Sequence, residues 1–258
     1  MTPTLDGLID IARQAGEILR QSFGKNLDVE YKSLIDLVSE ADRQSERLLL
    51  NYIRQHFPGD SIQAEESGGL PGSSERVWYI DPLDGTVNYL HGIPIYSVSI
   101  AYAEGGVLRQ GVVYDPVHDE CFSAEHGKGA FLNGHLIHPA SATDLDHALL
   151  VTGFSYDIRD IPDNNLDNFA YFALHSQGVR RLGSAALDLC YVACGRLDGF
   201  WELILQPWDL AAGALIAIEA GAKVSNIDGG PDFISPPPSV IAANHQLHPL
   251  ILAGVHQK

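Results

Sequence analysis

The run Val77-Trp78-Tyr79-Ile80-Asp81-Pro82-Leu83-Asp84-Gly85-Thr86 restricts the fold more than any other part of the chain. Its first four residues read as a buried strand. Two carboxylates three residues apart then leave the end of that strand. Pro82 stiffens the segment between them because its ring fixes φ. Gly85 permits a tight turn, and Thr86 supplies a hydroxyl. A rigid strand end with two acids, the Leu83 carbonyl and a hydroxyl suits hard divalent cations, which prefer oxygen ligands. Asp, Pro and Gly also favour turns for local reasons, but a turn does not require this whole set at once.

The chain has 258 residues, 45% of them hydrophobic, which suffices for one large domain or two closely packed halves. A formal charge of −17 argues against nucleic acid or an anionic membrane as the main partner. An acidic protein can still bind an anionic small molecule if metal ions or amide dipoles reverse the local field. The three cysteines, Cys121, Cys190 and Cys194, form no disulfide framework and suit a reduced, cytoplasmic protein, and Cys190 and Cys194, four apart on a helix, read as small core residues. No apolar run approaches the ~20 residues of a membrane span, so no membrane partner is expected.

Residues 5–23 carry apolar side chains at helical spacing, and the helix ends near Gly24. Val29–Lys32 reads as a short strand. The segment Asp36–Asp42 opens a second helix that Pro58-Gly59 ends, with Asp42 in its first turn. There Asp42 could serve simply as a capping acid. Glu65 and Glu66 follow an apparent strand, and residues 68–75 read as a solvated loop. His91 is a nitrogen donor near the central motif, although the neighbouring oxygens favour a harder ion.

Strands are expected over 95–103, 107–114, 120–124 and 129–132, joined by short turns into an antiparallel run. From about residue 146, strands and helices alternate, which implies a mixed sheet covered by helices. One helix covers about 185–194. Another begins at Pro207-Trp208-Asp209 and runs to about Ala220.

Glu65, Asp81, Asp84 and Asp209 come from three separated segments, each at a strand end or a helix start. If they converge they cannot all stay ionised without cations. With Mg²⁺ they would frame a site for a phosphate and an activated water.

These motifs resemble the inositol monophosphatase family. The resemblance rests on Asp81-Pro82-Leu83-Asp84-Gly85-Thr86-Val87-Asn88-Tyr89, with Glu65-Glu66-Ser67 upstream and Trp208-Asp209-Leu210-Ala211-Ala212-Gly213 downstream. The segments Asp36–Asp42 and Arg180–Ala186 are similar to family segments too, so nearly the whole chain is covered. The resemblance implies a layered αβαβα sandwich. Residues 1–145 would form a mostly antiparallel half with two helices, and residues 146–258 a mixed-sheet half carrying Asp209.

It also implies site roles. Glu65, Asp81 and the Leu83 carbonyl would hold one Mg²⁺, and Asp81, Asp84 and Asp209 a second. A third, looser ion would sit by Glu65 through water. Thr86, paired with Asp42, would orient or deprotonate the attacking water. The N–H groups of Gly85 and Thr86 would bind phosphate. Asp84, Gly183, Ser184, Ala185, Glu202 and Asp209 would contact the alcohol half.

The implied activity is Mg²⁺-dependent hydrolysis of inositol monophosphates and related polyol phosphates, by a homodimer that is often lithium-sensitive. Fructose 1,6-bisphosphate, histidinol phosphate and 3′-phosphonucleotides are the alternative substrates. A non-catalytic, metal-binding regulatory protein on the same fold is the alternative of another class. Two positions depart from the family pattern. Ser39 replaces a threonine but keeps the hydroxyl, and Ile204 replaces a glycine and could narrow the alcohol pocket. Arg180 and Arg181 could attract a second anionic group, support an interface, or simply be solvated.

Overall fold

The computed structural model describes residues 2–25, 29–31 and 37–256. Asp36 and Lys32, which the sequence places in a helix-opening segment and a strand, lie outside them. In chain order, the described residues form α1 (Leu5–Ser22), β1 (Val29–Tyr31), β2 (Leu37–Ser39), α2 (Glu40–His56), β3 (Ser61–Ala64), β4 (Gly68–Leu70) and β5 (Arg76–Asp84). Next come α3 (Thr86–Leu90), β6 (Ser97–Glu104), β7 (Val107–Asp115), β8 (Glu120–Glu125), β9 (Ala130–Leu132) and β10 (His135–Leu136). The remainder comprises β11 (Leu149–Thr152), α4 (Leu166–His175), β12 (Gly178–Arg180), α5 (Ala185–Ala193), β13 (Gly199–Glu202), α6 (Pro207–Ala220), β14 (Lys223–Ser225), β15 (Val240–Ala243) and α7 (His248–Gly254).

An eight-stranded sheet has the order β10-β9-β8-β7-β6-β5-β3-β4, and a five-stranded sheet the order β12-β11-β13-β15-β14. The first is antiparallel except where β3 runs parallel to β5. In the second, β11 is parallel to both β12 and β13, while β15 is antiparallel to its neighbours.

Successive residues of a strand face opposite sides, and a sheet buried on both faces reads as a continuous apolar run. On β6, Val98, Ile100 and Tyr102 pack with Leu8, Leu19, Leu49 and Ile53 of α1 and α2. Ala101 faces the other way, toward Ala186, Ala212 and Ile216 of α5 and α6. The second sheet repeats the arrangement. Phe200, Val240 and Ala242 meet α5 and α6, whereas Trp201, Ile241 and Ala243 meet Phe172 of α4 and Ile251 of α7.

The layers are therefore α1/α2, sheet, α5/α6, sheet and α4/α7, the expected αβαβα sandwich. Helix α6 is buried almost all round, as a helix between two sheets must be. Gly213 lets it approach α5, since a Cβ there would lie 2.8 Å from the Leu189 Cβ.

Two local expectations change. Gly68–Leu70 is not loop but β4, which pairs antiparallel with β3. Its glycines conceal the strand because the pairing is made through the backbone. The motif strand also does not stop at Ile80. It continues to Asp84, with Asp81 opposite Ser99 and Asp84 opposite Ser97 on β6.

Candidate active site

That register carries a consequence for the two acids. Residues three apart on a regular strand face opposite sides. Here three steps on β5 match two on β6, so the strand bulges at Pro82-Leu83. The extra residue turns Asp81 and Asp84 to the same face. Proline suits the bulge, having no N–H to give to the ladder. The turn is pinned by the Leu83 N–H donating to Asp81 Oδ1 at 3.0 Å and by Ser45 Oγ donating to the Pro82 carbonyl at 2.9 Å.

Strand β3 ends beside β5 in parallel register, and the Glu65 N–H donates to the Ile80 carbonyl at 3.2 Å. Glu65 is thereby set next to Asp81, close enough for its charge to raise the Asp81 carboxyl. Asp209 arrives from the first turn of α6, where its Oδ2 accepts the Gln206 N–H at 2.8 Å. Ser99, opposite Asp81, donates to the Trp208 carbonyl at 3.3 Å and ties the start of α6 to the motif.

Glu65, Glu66, Asp81, Leu83, Asp84, Gly85, Thr86, Gly183, Ser184, Ala185, Glu202 and Asp209 all line one cavity of about 560 Å³. It opens at the carboxyl ends of two parallel strand pairs, β3/β5 and β11/β13, where ligand crevices of α/β sheets form. The starts of α5 and α6 close it. His91 is exposed and lies outside the lining.

Electrostatics mark the acids as a coupled set. Burial, then Glu65, Asp84 and Asp209, push the Asp81 carboxyl well above the usual range. Burial and Asp84 raise Asp209 to about 7 against a capping hydrogen bond from Gln206. Burial raises Asp84 too, opposed by Ser184, Ala186 and Ala185. The Asp84 carboxylate points into the start of α5, accepting from Ser184 Oγ at 2.5 Å and from the N–H groups of Ala186 at 2.9 Å and Ala185 at 3.3 Å. Among the described residues no three His, Cys, Asp or Glu side chains close around a common point. The set is all oxygen, suited in kind to a hard divalent cation.

Asp42 lies beneath the motif, fully buried. Its Oδ2 accepts the Ser39 N–H at 2.9 Å and the Ser39 hydroxyl, and its Oδ1 lies 3.3 Å from Thr86 Oγ1. It is both the capping acid of α2 and a partner of Thr86. The Thr86 hydroxyl also lies 3.0 Å from the Leu83 carbonyl.

At the other end, Glu202 ends β13 and is 6% exposed. It rests on Gly153, the residue after β11, where a Cβ would collide with its carboxylate. Thr152 Oγ1 donates to the Trp201 carbonyl at 2.6 Å and Asn165 Nδ2 to the Gly153 carbonyl at 2.9 Å, which hold this wall in place. Ile204 also lines the cavity, as does Arg181 of the basic pair.

Several lining residues had not been singled out: Phe154, Ser155, Tyr156, Asp157 and Asp188. Asp188 had a legible signal, an acid in the apolar run Ala185-Ala186-Leu187-Asp188-Leu189-Cys190. Tyr156 sits in a polar loop and had none.

An acid set at the junction of two sheets, inside an αβαβα sandwich, defines a layered protein of the sugar-phosphatase type. The inositol monophosphatase family model matches residues 1–258. An inositol-1-monophosphatase of Mesorhizobium japonicum is 41% identical over 254 residues, covering 97% of this chain and 95% of that protein. The Nus factor SuhB of Pseudomonas aeruginosa is 43% identical over 91% of this chain and 89% of its own. The solved inositol monophosphatase of Anabaena (Nostoc) sp. superposes with a TM-score of 0.85 at 42% identity, covering 97% of this chain and 96% of that one. This chain belongs to the inositol monophosphatase family. Among the described residues, no helix is long and apolar enough to cross a membrane.

A stability prediction follows from Asp209. Its folded pKa of about 7 exceeds the ordinary 3.8. Between those values the folded chain holds a proton that the unfolded chain has lost, so this group's contribution falls as pH rises through the window. In EDTA, Asp209→Asn is therefore expected to melt higher than the wild type at pH 8, and the gap to close toward pH 5. Thermal melts across that range check it. A gap that widens toward pH 5 would contradict the sign.

Proposed function

We propose that this protein hydrolyses phosphate monoesters of small polyols, myo-inositol monophosphates first among them, in a Mg²⁺-dependent reaction. The observation that carries this reading is the gathering of Glu65, Asp81, Asp84 and Asp209 along one cavity with the Leu83 carbonyl. When bound, Mg²⁺ supplies the positive charge that balances these acids and the phosphate, and it lowers the cost of ionising water. Glu65, Asp81 and Leu83 O would hold one ion, and Asp81, Asp84 and Asp209 another, with Glu65 near a third.

The chain's own groups do the rest. Thr86 Oγ1, donating to Asp42, keeps its lone pairs for the attacking water, and Asp42 is the group to which the proton can pass. The N–H groups of Gly85 and Thr86 hold phosphate oxygens. Ser184, Ala185 and Gly183 frame the alcohol, and Glu202 accepts its hydroxyls. Phosphate release from inositol 1-phosphate, fructose 1,6-bisphosphate, histidinol phosphate and a 3′-phosphonucleotide, with and without Mg²⁺, tests this. No release from any of them ends the reading.

Glu202 gives a second test. Gly153→Ala displaces its carboxylate while leaving the acid cluster in place. KM for inositol phosphate is expected to rise about tenfold or more with kcat little changed, the loss of one hydrogen bond to a charged group. Equal loss in kcat and unchanged KM would remove Glu202 from alcohol binding.

A second reading rests on the relatives named Nus factors, such as that of Pseudomonas aeruginosa: a role in binding another macromolecule, beside catalysis or in its place. The intact set of Thr86, Asp42 and four acids favours catalysis being retained.

A further inference from the structure

Asp188 lies on α5 among Ala186, Leu187, Leu189 and Cys190, and is 1% exposed. A carboxyl buried in such surroundings is costly unless hydrogen-bonded. Yet its Oδ1 has no hydrogen-bond partner. Ser184, one turn earlier, is already committed to Asp84. The residue lines the cavity, as does Glu202, whose charge acts on it. The charged groups that bear on it are Glu202, Asp84 and Arg181. Arg181 is exposed at the rim and is the one basic residue among the described lining.

The alcohol end of the cavity is thus walled by two buried carboxyls, one with an oxygen in want of a donor. A hydroxyl both donates and accepts, so it satisfies this wall whichever acid holds a proton. A second phosphate group at neutral pH offers acceptors almost alone, and its charge would have to be buried beside two carboxyls that burial holds toward the neutral form, with no buried cation to offset it. We propose that Asp188 is a specificity-determining residue: with Glu202 it selects an uncharged polyol leaving group and rejects one that carries a second phosphate. This rests on the phosphatase reading above and decides among its substrates.

The test compares wild type with Asp188→Asn, which keeps the shape and replaces the acid with an amide that carries two donors. The measured quantity is the ratio of kcat/KM for inositol 1-phosphate to that for fructose 1,6-bisphosphate, with Mg²⁺ present. Wild type is expected to favour the inositol ester. The variant is expected to lower the ratio about tenfold or more, largely through KM. Melting temperature and its rise with Mg²⁺ show whether the variant is folded. Should it be insoluble, Asp188→Ser likewise replaces the acid with a neutral donor and is read in the same way.

An active wild type whose ratio is unchanged by the substitution, or which already prefers the bisphosphate, overturns the role of Asp188 and leaves the phosphatase reading standing. A wild type that releases phosphate from neither ester overturns that reading, and this inference with it.

Discussion

On the phosphatase reading, Asp209→Asn is expected to lower Mg²⁺-dependent phosphate release by on the order of 10²-fold or more, the scale expected when support of a metal is lost, while the protein stays folded. Two features separate the effects. The acid's Oδ2 accepts the Gln206 N–H in the first turn of α6, and an amide keeps an oxygen able to do the same. The helix itself is held by Leu210, Ala211, Ala212, Leu215 and Ile216, all buried between the sheets. What the substitution removes is one negative charge from a cavity wall already shared with Asp81 and Asp84. Turnover at saturating Mg²⁺, together with the Mg²⁺ concentration giving half-maximal rate, checks this. Turnover near the wild-type level would separate Asp209 from the chemistry.

The sequence revealed much of the scaffold because its strongest signals are local. Pro207 at a helix start and Gly221 past the end bracket α6, and short turns separate β6, β7 and β8. It did not reveal the bulge at Pro82-Leu83, because a bulge exists only relative to a partner strand. Without β6, the apolar pattern of the motif strand ends at Ile80. Nor could local pattern show that Asp84 turns into the start of α5, a contact between residues 100 positions apart in the chain. The strand at Gly68–Leu70 was hidden by residues that ordinarily mark loops. Asp188 is a different case. A lone acid in an apolar helix was visible, but its significance depends on Glu202, which the end of β13 in the second sheet brings near it.

The scaffold explains why distant segments can serve one cavity. The antiparallel part of the first sheet brings Asp81 and Asp84 to the helix layer. The parallel pair β3/β5 adds Glu65 at the same end. The second sheet offers a matching parallel pair, β11/β13, which supplies Gly153 and Glu202. Helices α5 and α6 lie between the sheets, and both begin at the crevice. The wall carrying Glu65, Asp81 and Asp84 and the wall carrying Gly153 and Glu202 are therefore contributed by separate sheets, and a substitution in one should leave the other in place.

Thr86→Ala separates water positioning from metal binding. Thr86 Oγ1 stands 3.3 Å from Asp42 Oδ1 and 3.0 Å from the Leu83 carbonyl, and it has a single proton to donate between them. Asp42 is oriented independently by the Ser39 N–H and hydroxyl, so removing the threonine hydroxyl leaves the acid in place but out of reach of the attacking water. Loss of a positioned proton acceptor of this kind costs about 10²–10⁴-fold in rate. The four acids and the Leu83 carbonyl are untouched, so kcat is expected to fall by that order while the Mg²⁺ dependence of the melting temperature stays near wild type. Thr86→Ser, which restores the hydroxyl, should recover most of the rate. If Mg²⁺ binding weakens in step with kcat, Thr86 is a ligand; if serine fails to rescue the rate, the methyl group's packing matters more than the hydroxyl.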